Sequence, residues 1–102
     1  MAVESVKVVT KSAGDTLPIW IDWSVWLASE TTQLGLSVTL LTSMWESDDV
    51  TVLGSPAPEL NGSVTSCWLS GGTVAWQGTL VTNTITTNRG HTISRAITVM
   101  VR

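Results

Sequence analysis

The chain has no phenylalanine and no tyrosine, so its six tryptophans supply all of its aromatic surface. A single cysteine, Cys67, rules out an intramolecular disulfide, and the fold must hold by packing alone. His91 is the only histidine, and neither it nor Cys67 has partners at metal-ligand spacing, where zinc needs three or four ligands. No metal and no cofactor is expected. Charged residues make up 13% of the chain, about half the ~25% of an ordinary soluble domain. Five basic residues without a cluster cannot neutralise many phosphates, which argues against nucleic acid as a partner. No apolar run approaches the ~20 residues of a membrane helix. The N-terminus, with Lys7 and no long apolar segment behind it, does not read as a secretory signal. Assembly in the cytoplasm is the expectation, with no membrane partner.

What is present favours strand. Sixteen threonines and thirteen valines dominate the 102 residues, and both suit a pleated surface better than a helix. The length allows one domain with a real core. So few charges would leave a monomer poorly protected against association, whereas a subunit of an assembly needs no such protection. The charges are also segregated: residues 1–60 hold eight carboxylates against Lys7 and Lys11, net −6, and residues 61–102 hold three arginines, net +3. Such a split either balances two faces of one domain or complements neighbouring copies head to tail.

Along the chain, residues 1–14 read as an N-terminal arm or a first edge strand, and 15–102 as a β-sandwich domain. Residues 17–28 read as the most apolar strand, with Ile19, Ile21, Trp23, Val25 and Leu27 facing the core and Trp20, Asp22, Ser24 and Trp26 on the other face. Pro18 and the β-branched neighbours argue against a helix there. Residues 34–42 alternate, an acidic turn follows at Glu46–Asp49, and a short strand spans Val50–Leu53. Asn61-Gly62 is a tight-turn dipeptide that launches Val64–Leu69. Gly71-Gly72 then turns the chain into a long strand near 74–87, whose apolar positions change parity from Val74, Trp76 and Leu80 to Val81 and Ile85. A β-bulge near Gly78 would account for that change. A hairpin at Thr87–Gly90 leads to a last strand lined by Ile93, Ile97, Val99 and Val101. Six or seven antiparallel strands with no helix predict an all-β, immunoglobulin-like β-sandwich.

No constellation points to catalysis. No nucleophile elbow surrounds any serine near the single histidine, and Cys67 reads as a buried, inert thiol. Glu46, Asp48 and Asp49 lack the further oxygen ligands of a calcium site and read as a solvated turn. Asn61-Gly62-Ser63 matches a glycosylation triplet but reads as a turn. Gly71-Gly72 has no helix N-terminus behind it to hold a phosphate. Trp23 belongs in the core. Trp20 and Trp26, beside polar residues, are either covered by the N-terminal segment, or contact anchors, or sugar-stacking platforms for which no polar groove can be assembled.

The runs Asp22-Trp23-Ser24-x-Trp26-Leu27, Trp68-Leu69-Ser70-Gly71-Gly72-Thr73 and Val81-Thr82-Asn83-x-Ile85-Thr86-Thr87 occur in that order. Together with Trp45, Gly90, Arg95, Ile97 and Val99 they resemble the fiber-tail adaptor proteins of tailed bacteriophages over about residues 15–101. The chain departs from the family at Leu80, where a Tyr is usual, and at His91, where an Arg is usual; Arg89 would take over the latter. The resemblance implies a non-enzymatic virion protein in several copies, joining the tail or neck to fibers or adjacent tail proteins. Its partners would be other virion proteins, or copies of itself in a ring. The candidate contacts are Trp20, Trp26, the hairpin residues Asn88, Arg89 and His91, and Val6 and Val8, from an arm that would pair with a neighbour's strand edge. The alternatives are a capsid decoration or head-completion protein and, from a different class, a carbohydrate-binding sandwich.

Overall fold

A computed structural model describes residues 5–74 and 78–102, with side chains from Lys7 onward in the first segment. Val6 as a contact and Trp76 in the long strand therefore lie outside the described side chains. The elements run β1 (Ser5–Lys11), β2 (Leu17–Asp22), α1 (Ser24–Leu34), β3 (Leu40–Ser47), β4 (Thr51–Val52), β5 (Glu59–Asn61), β6 (Val64–Ser70), β7 (Thr79–Thr87) and β8 (Thr92–Val101). One sheet has the order β1-β8-β7-β3; the other has β2-β6-β4, with β5 also on β6. The protein is all-β apart from α1, and the described helix is not long and apolar enough to cross a membrane.

Period-2 burial builds the core. Ile19 and Ile21 on β2 and Thr65, Cys67 and Leu69 on β6 face Val81, Asn83 and Ile85 on β7 and Ile97, Val99 and Val101 on β8. Gly72 has φ +105°, and a Cβ there would meet buried Val50 and Val101 at 2.8 Å. Only glycine lets the turn after β6 pass so close to the sandwich.

Four expectations are corrected. The 17–28 strand stops at Asp22, and 24–34 is helical. Trp23 and Leu27 are buried in either description, because a spacing of four satisfies both periods. Val25 separates them: it is 82% exposed, where a strand would have buried it. The start of α1 is fixed locally. Asp22 Oδ1 accepts the Ser24 N–H at 2.9 Å, and the Trp23 N–H donates to Ser63 O at 2.8 Å. Gly35, at φ +68°, ends it by donating its N–H to Thr31 O. With the helix running to Leu34, the alternation read from 34 becomes strand only at Leu40.

Eight strands lie among the described residues, and they are not all antiparallel: β1 runs parallel to β8. Nor is β7 bulged. It pairs with β8 without a shift from Thr79↔Val99 to Thr86↔Thr92, and Gly78, at φ +69°, lies just before it. The parity change arises because Leu80 faces outward, exposed, at the start of a regular strand. The shifts fall instead between Ser5 and Lys7 on β1 and between Leu40 and Thr42 on β3.

Candidate contact surfaces

Residues from two of the motif runs meet in the interior. The Trp23 indole N–H donates to Thr65 Oγ1 at 3.2 Å and Asn83 Oδ1 at 3.1 Å. The Thr65 hydroxyl donates to the same Asn83 oxygen at 2.6 Å. The Asn83 amide donates onward to Ser43 Oγ at 2.8 Å and Met44 O at 3.1 Å. The Arg95 guanidinium lies over the Trp23 ring, 5.0 Å from its centroid. A buried indole must find an acceptor. Trp23, between β2 and α1, supplies the donor and Asn83 on β7 the acceptor, which ties the two layers through their middle. Trp23, Thr65 and Asn83 are fully buried and serve as scaffold.

The hairpin between β7 and β8 is fastened to the loop after α1. Asn88 donates through Nδ2 to Ser37 O at 3.2 Å and accepts the Thr39 N–H on Oδ1 at 3.0 Å. Arg89 Nε donates to the same Ser37 carbonyl at 3.1 Å. His91 Nδ1 lies 2.7 Å from Glu30 Oε1 on α1, and the His91 ring sits 5.3 Å from that of Trp26. Trp26 in turn meets Trp23 edge-on at 5.7 Å. The structure thus brings Trp26, Asn88, Arg89 and His91 to one end of the molecule, with Asn88, Arg89 and His91 exposed. The expectation that Trp26 shares a strand face with Trp20 is corrected, since Trp26 belongs to a helix and packs inward. Glu30 was not foreseen; its spacing of four from Trp26 points to His91 only once 24–34 is helical.

Trp20 stands apart, 52% exposed on the outer face of β2. Its pairing with Ser66, and that of Pro18 with Trp68, places half-buried Trp68 diagonally beside it. Trp68 was read only as part of a turn motif. The signal was its alternation with Cys67 and Leu69, which sends Trp68 to the face opposite the core. Lys7 Nζ lies 4.2 Å over the Trp20 ring, a cation–π contact, and partial burial lowers the Lys7 ammonium from its usual 10.5. That contact links β1 and β2, the edge strands of the two sheets. Val8 faces outward, 65% exposed. Of the two expectations for this segment, arm or first edge strand, β1 forms a strand on this chain's own β8.

The reactive groups are placed as follows. Cys67 is buried and burial pushes its thiol up to about 12, so it is a protonated core residue. The Asp49 carboxylate accepts the Thr73 N–H at 2.7 Å and so braces a turn. Among the described residues no group of three or more His, Cys, Asp or Glu is placed to hold a metal. An apolar groove of about 500 Å³ runs between Leu27, Val38, Leu40 and Leu60.

A protein-family model described as "Podophage GP4 fiber-tail adaptor protein gp77" matches residues 11–100. No curated protein matches the chain.

Proposed function

The chain belongs to the podophage fiber-tail adaptor family, and from that membership we propose that it works as a multi-copy adaptor joining the tail or neck to the fibers or to adjacent tail proteins. Its mechanism is interface formation without turnover, in particles assembled in the host cytoplasm. The observation that carries this reading is the family match over 11–100, nearly the whole chain. The sandwich itself is read as immunoglobulin-like. Its β3-β7-β8 and β2-β6-β4 orders follow the C-F-G and B-E-D sheets of that fold, and Trp45 on β3 occupies the place of the buried tryptophan on strand C.

Trp20, with Trp68 beside it and Lys7 over it, is the anchor proposed for a partner in the virion, since large exposed aromatics dominate interface energetics. Arg89 and His91 at the hairpin end form a second, polar contact. Asn88, itself exposed, fastens the hairpin, and Trp26 packs beneath His91. Particles produced without this chain are expected to carry tails lacking fibers by electron microscopy. Fully fibered tails on such particles would reject the adaptor role. Trp20→Glu, which exchanges the Lys7 cation–π contact for an ion pair, is expected to keep a cooperative thermal melt while reducing fiber occupancy; full occupancy in a folded variant would remove Trp20 from the interface.

A further inference from the structure

The surface around Trp20 has a shape and a charge that select the side chain it takes. Alternate burial along β6 turns Val64, Ser66 and Trp68 to the outer face of its sheet, and directly paired residues share a face. Ser66 pairs with Trp20 on β2 and with Glu59 on β5. It therefore forms the floor of a notch. Trp20 and Glu59 stand on either side, one strand spacing of about 4.8 Å away, and Val64 and Trp68 stand about 6.7 Å away along β6. A serine among such neighbours is too short to fill the space above it. Diagonal positions such as Trp20 and Trp68 lie about 7–8 Å apart. That is twice a contact distance of about 3.5–4.0 Å, a separation that admits one planar group between facing rings.

We infer that this notch takes an arginine of another virion protein, lodged against the Trp20 and Trp68 indoles with its guanidinium forked onto the Glu59 carboxylate. Charge selects the occupant. The outward positions of β2, β5 and β6 carry Asp22 and Glu59 and no Lys or Arg. Glu59 is exposed and makes no ion pair among the described residues, where the salt bridge joins His91 to Glu30. The indole already accepts a cation, since the Lys7 ammonium reaches it from the other sheet and lies 4.2 Å over the ring. A planar guanidinium stacks on an aromatic face and still donates two parallel hydrogen bonds to a carboxylate, which a hydrated ammonium cannot do. Two of this chain's three arginines are engaged elsewhere: Arg89 donates through Nε to Ser37 O, and Arg95 lies over Trp23. The source is therefore assigned to a different protein. The inference names the side chain that meets the proposed anchor and rests on that reading for its setting.

Two-dimensional NMR of the isolated full chain tests the chemistry, because the indole N–H signals of Trp20 and Trp68 report on the notch directly. The probes are a blocked Gly-Arg-Gly peptide and its citrulline isostere, which keeps the planar end and loses the charge. The arginine peptide is expected to shift both signals saturably, while the signal of buried Trp45 stays in place. The citrulline peptide is expected to bind about tenfold more weakly. Glu59→Gln, an exposed change, is expected to weaken arginine binding about threefold. No saturable shift, equal binding of citrulline, or unchanged binding in Glu59→Gln overturns the inference. In particles, Glu59→Arg is expected to keep a cooperative thermal melt and to lower fiber occupancy. Revertants selected for infectivity are expected to exchange an arginine of another virion protein for an acidic residue. Full occupancy, revertants in which no arginine changes, or compensation by an arginine of this chain also overturn it, the last because a second copy would then be the occupant. The adaptor role is scored separately by fibers on particles lacking the chain. Its failure leaves the peptide titration intact, so the two failures are distinguishable.

Discussion

Asn83 shows how one side chain can carry a family motif. It is fully buried, its oxygen takes bonds from Trp23 and Thr65, and its nitrogen gives bonds to Ser43 and Met44. Replacing it with leucine keeps the branched shape but takes the acceptor from the buried Thr65 hydroxyl and leaves the indole with Thr65 alone. A buried group so stranded costs about 1–3 kcal/mol, so Asn83→Leu is expected to lose ~2 kcal/mol by urea denaturation. Trp45 is the internal control. Its Nε1 is buried and unpartnered, so Trp45→Phe removes an unsatisfied donor along with some packing. It is expected to cost less than Asn83→Leu; an equal or larger loss would show that packing, not polar satisfaction, sets the value of these sites. The sequence alone marks Trp23 as core, because a large apolar residue in phase with Ile19 and Ile21 is buried in a strand or in a helix. Its partners are not legible, since Thr65 and Asn83 lie 42 and 60 residues away and nothing local pairs them.

At the scale of elements, β6, β8 and β7 from Thr79 onward were legible because Thr/Val alternation and the glycine turns agree with each other, whereas the start expected near 74 was not, since Val74 and Gly78 lie ahead of the strand. Helix α1 was not. Two signals for it stood in the sequence, Asp22 ahead of the first turn and Gly35 just past the last. The period-2 reading of 19–27 overrode them, because Trp23 and Leu27 fit both periods. The Asp22–Ser24 turn ahead of α1 makes the helix start sensitive to acid. The backbone bond from Ser24, and then its side-chain bond, hold the Asp22 carboxyl below the ordinary aspartate value of 3.8. A depressed carboxyl stabilises the fold above the unfolded value, and that contribution is lost as pH falls through the lower folded one. Thermal melts across the acid range are therefore expected to decline below about pH 4 in the wild type. Asp22→Asn, which keeps an acceptor but does not titrate, is expected to decline less; identical acid limbs would show that Asp22 contributes nothing.

Across the whole molecule, the question is how a charge-poor sandwich manages its strand edges. β8 would be an open edge were it not covered by β1, and β1 brings its lysines with it. Lys11 turns inward, buried, and its ammonium donates to the Ser12 carbonyl at 2.7 Å and to the Gly71 carbonyl. Lys7 reaches across to Trp20 on the other sheet. Inward lysines on an edge strand deter a further strand from adding, because pairing there would bring more chain against a charge that already has its partners. Of the two roles that the sequence leaves open for residues 1–14, arm or first edge strand, β1 takes the edge of this chain's own β8; alternation alone does not reveal whose edge a strand will take. A chain beginning at Ser12 lacks the whole ladder from Lys7↔Ile97 to Lys11↔Val101, and exposes the unpaired edge of β8. It is expected to melt at least ~8 °C lower, as a loss of about 2 kcal/mol gives for a domain of this size. It is also expected to form open-ended aggregates by light scattering, since a bare edge does not close on itself. Adding back a peptide of residues 1–11 should fill the edge, raise the melting temperature and reduce the scattering. A truncated chain that stays monodisperse and melts like the full one would show that β1 seals nothing, and would return residues 1–11 to the role of an arm.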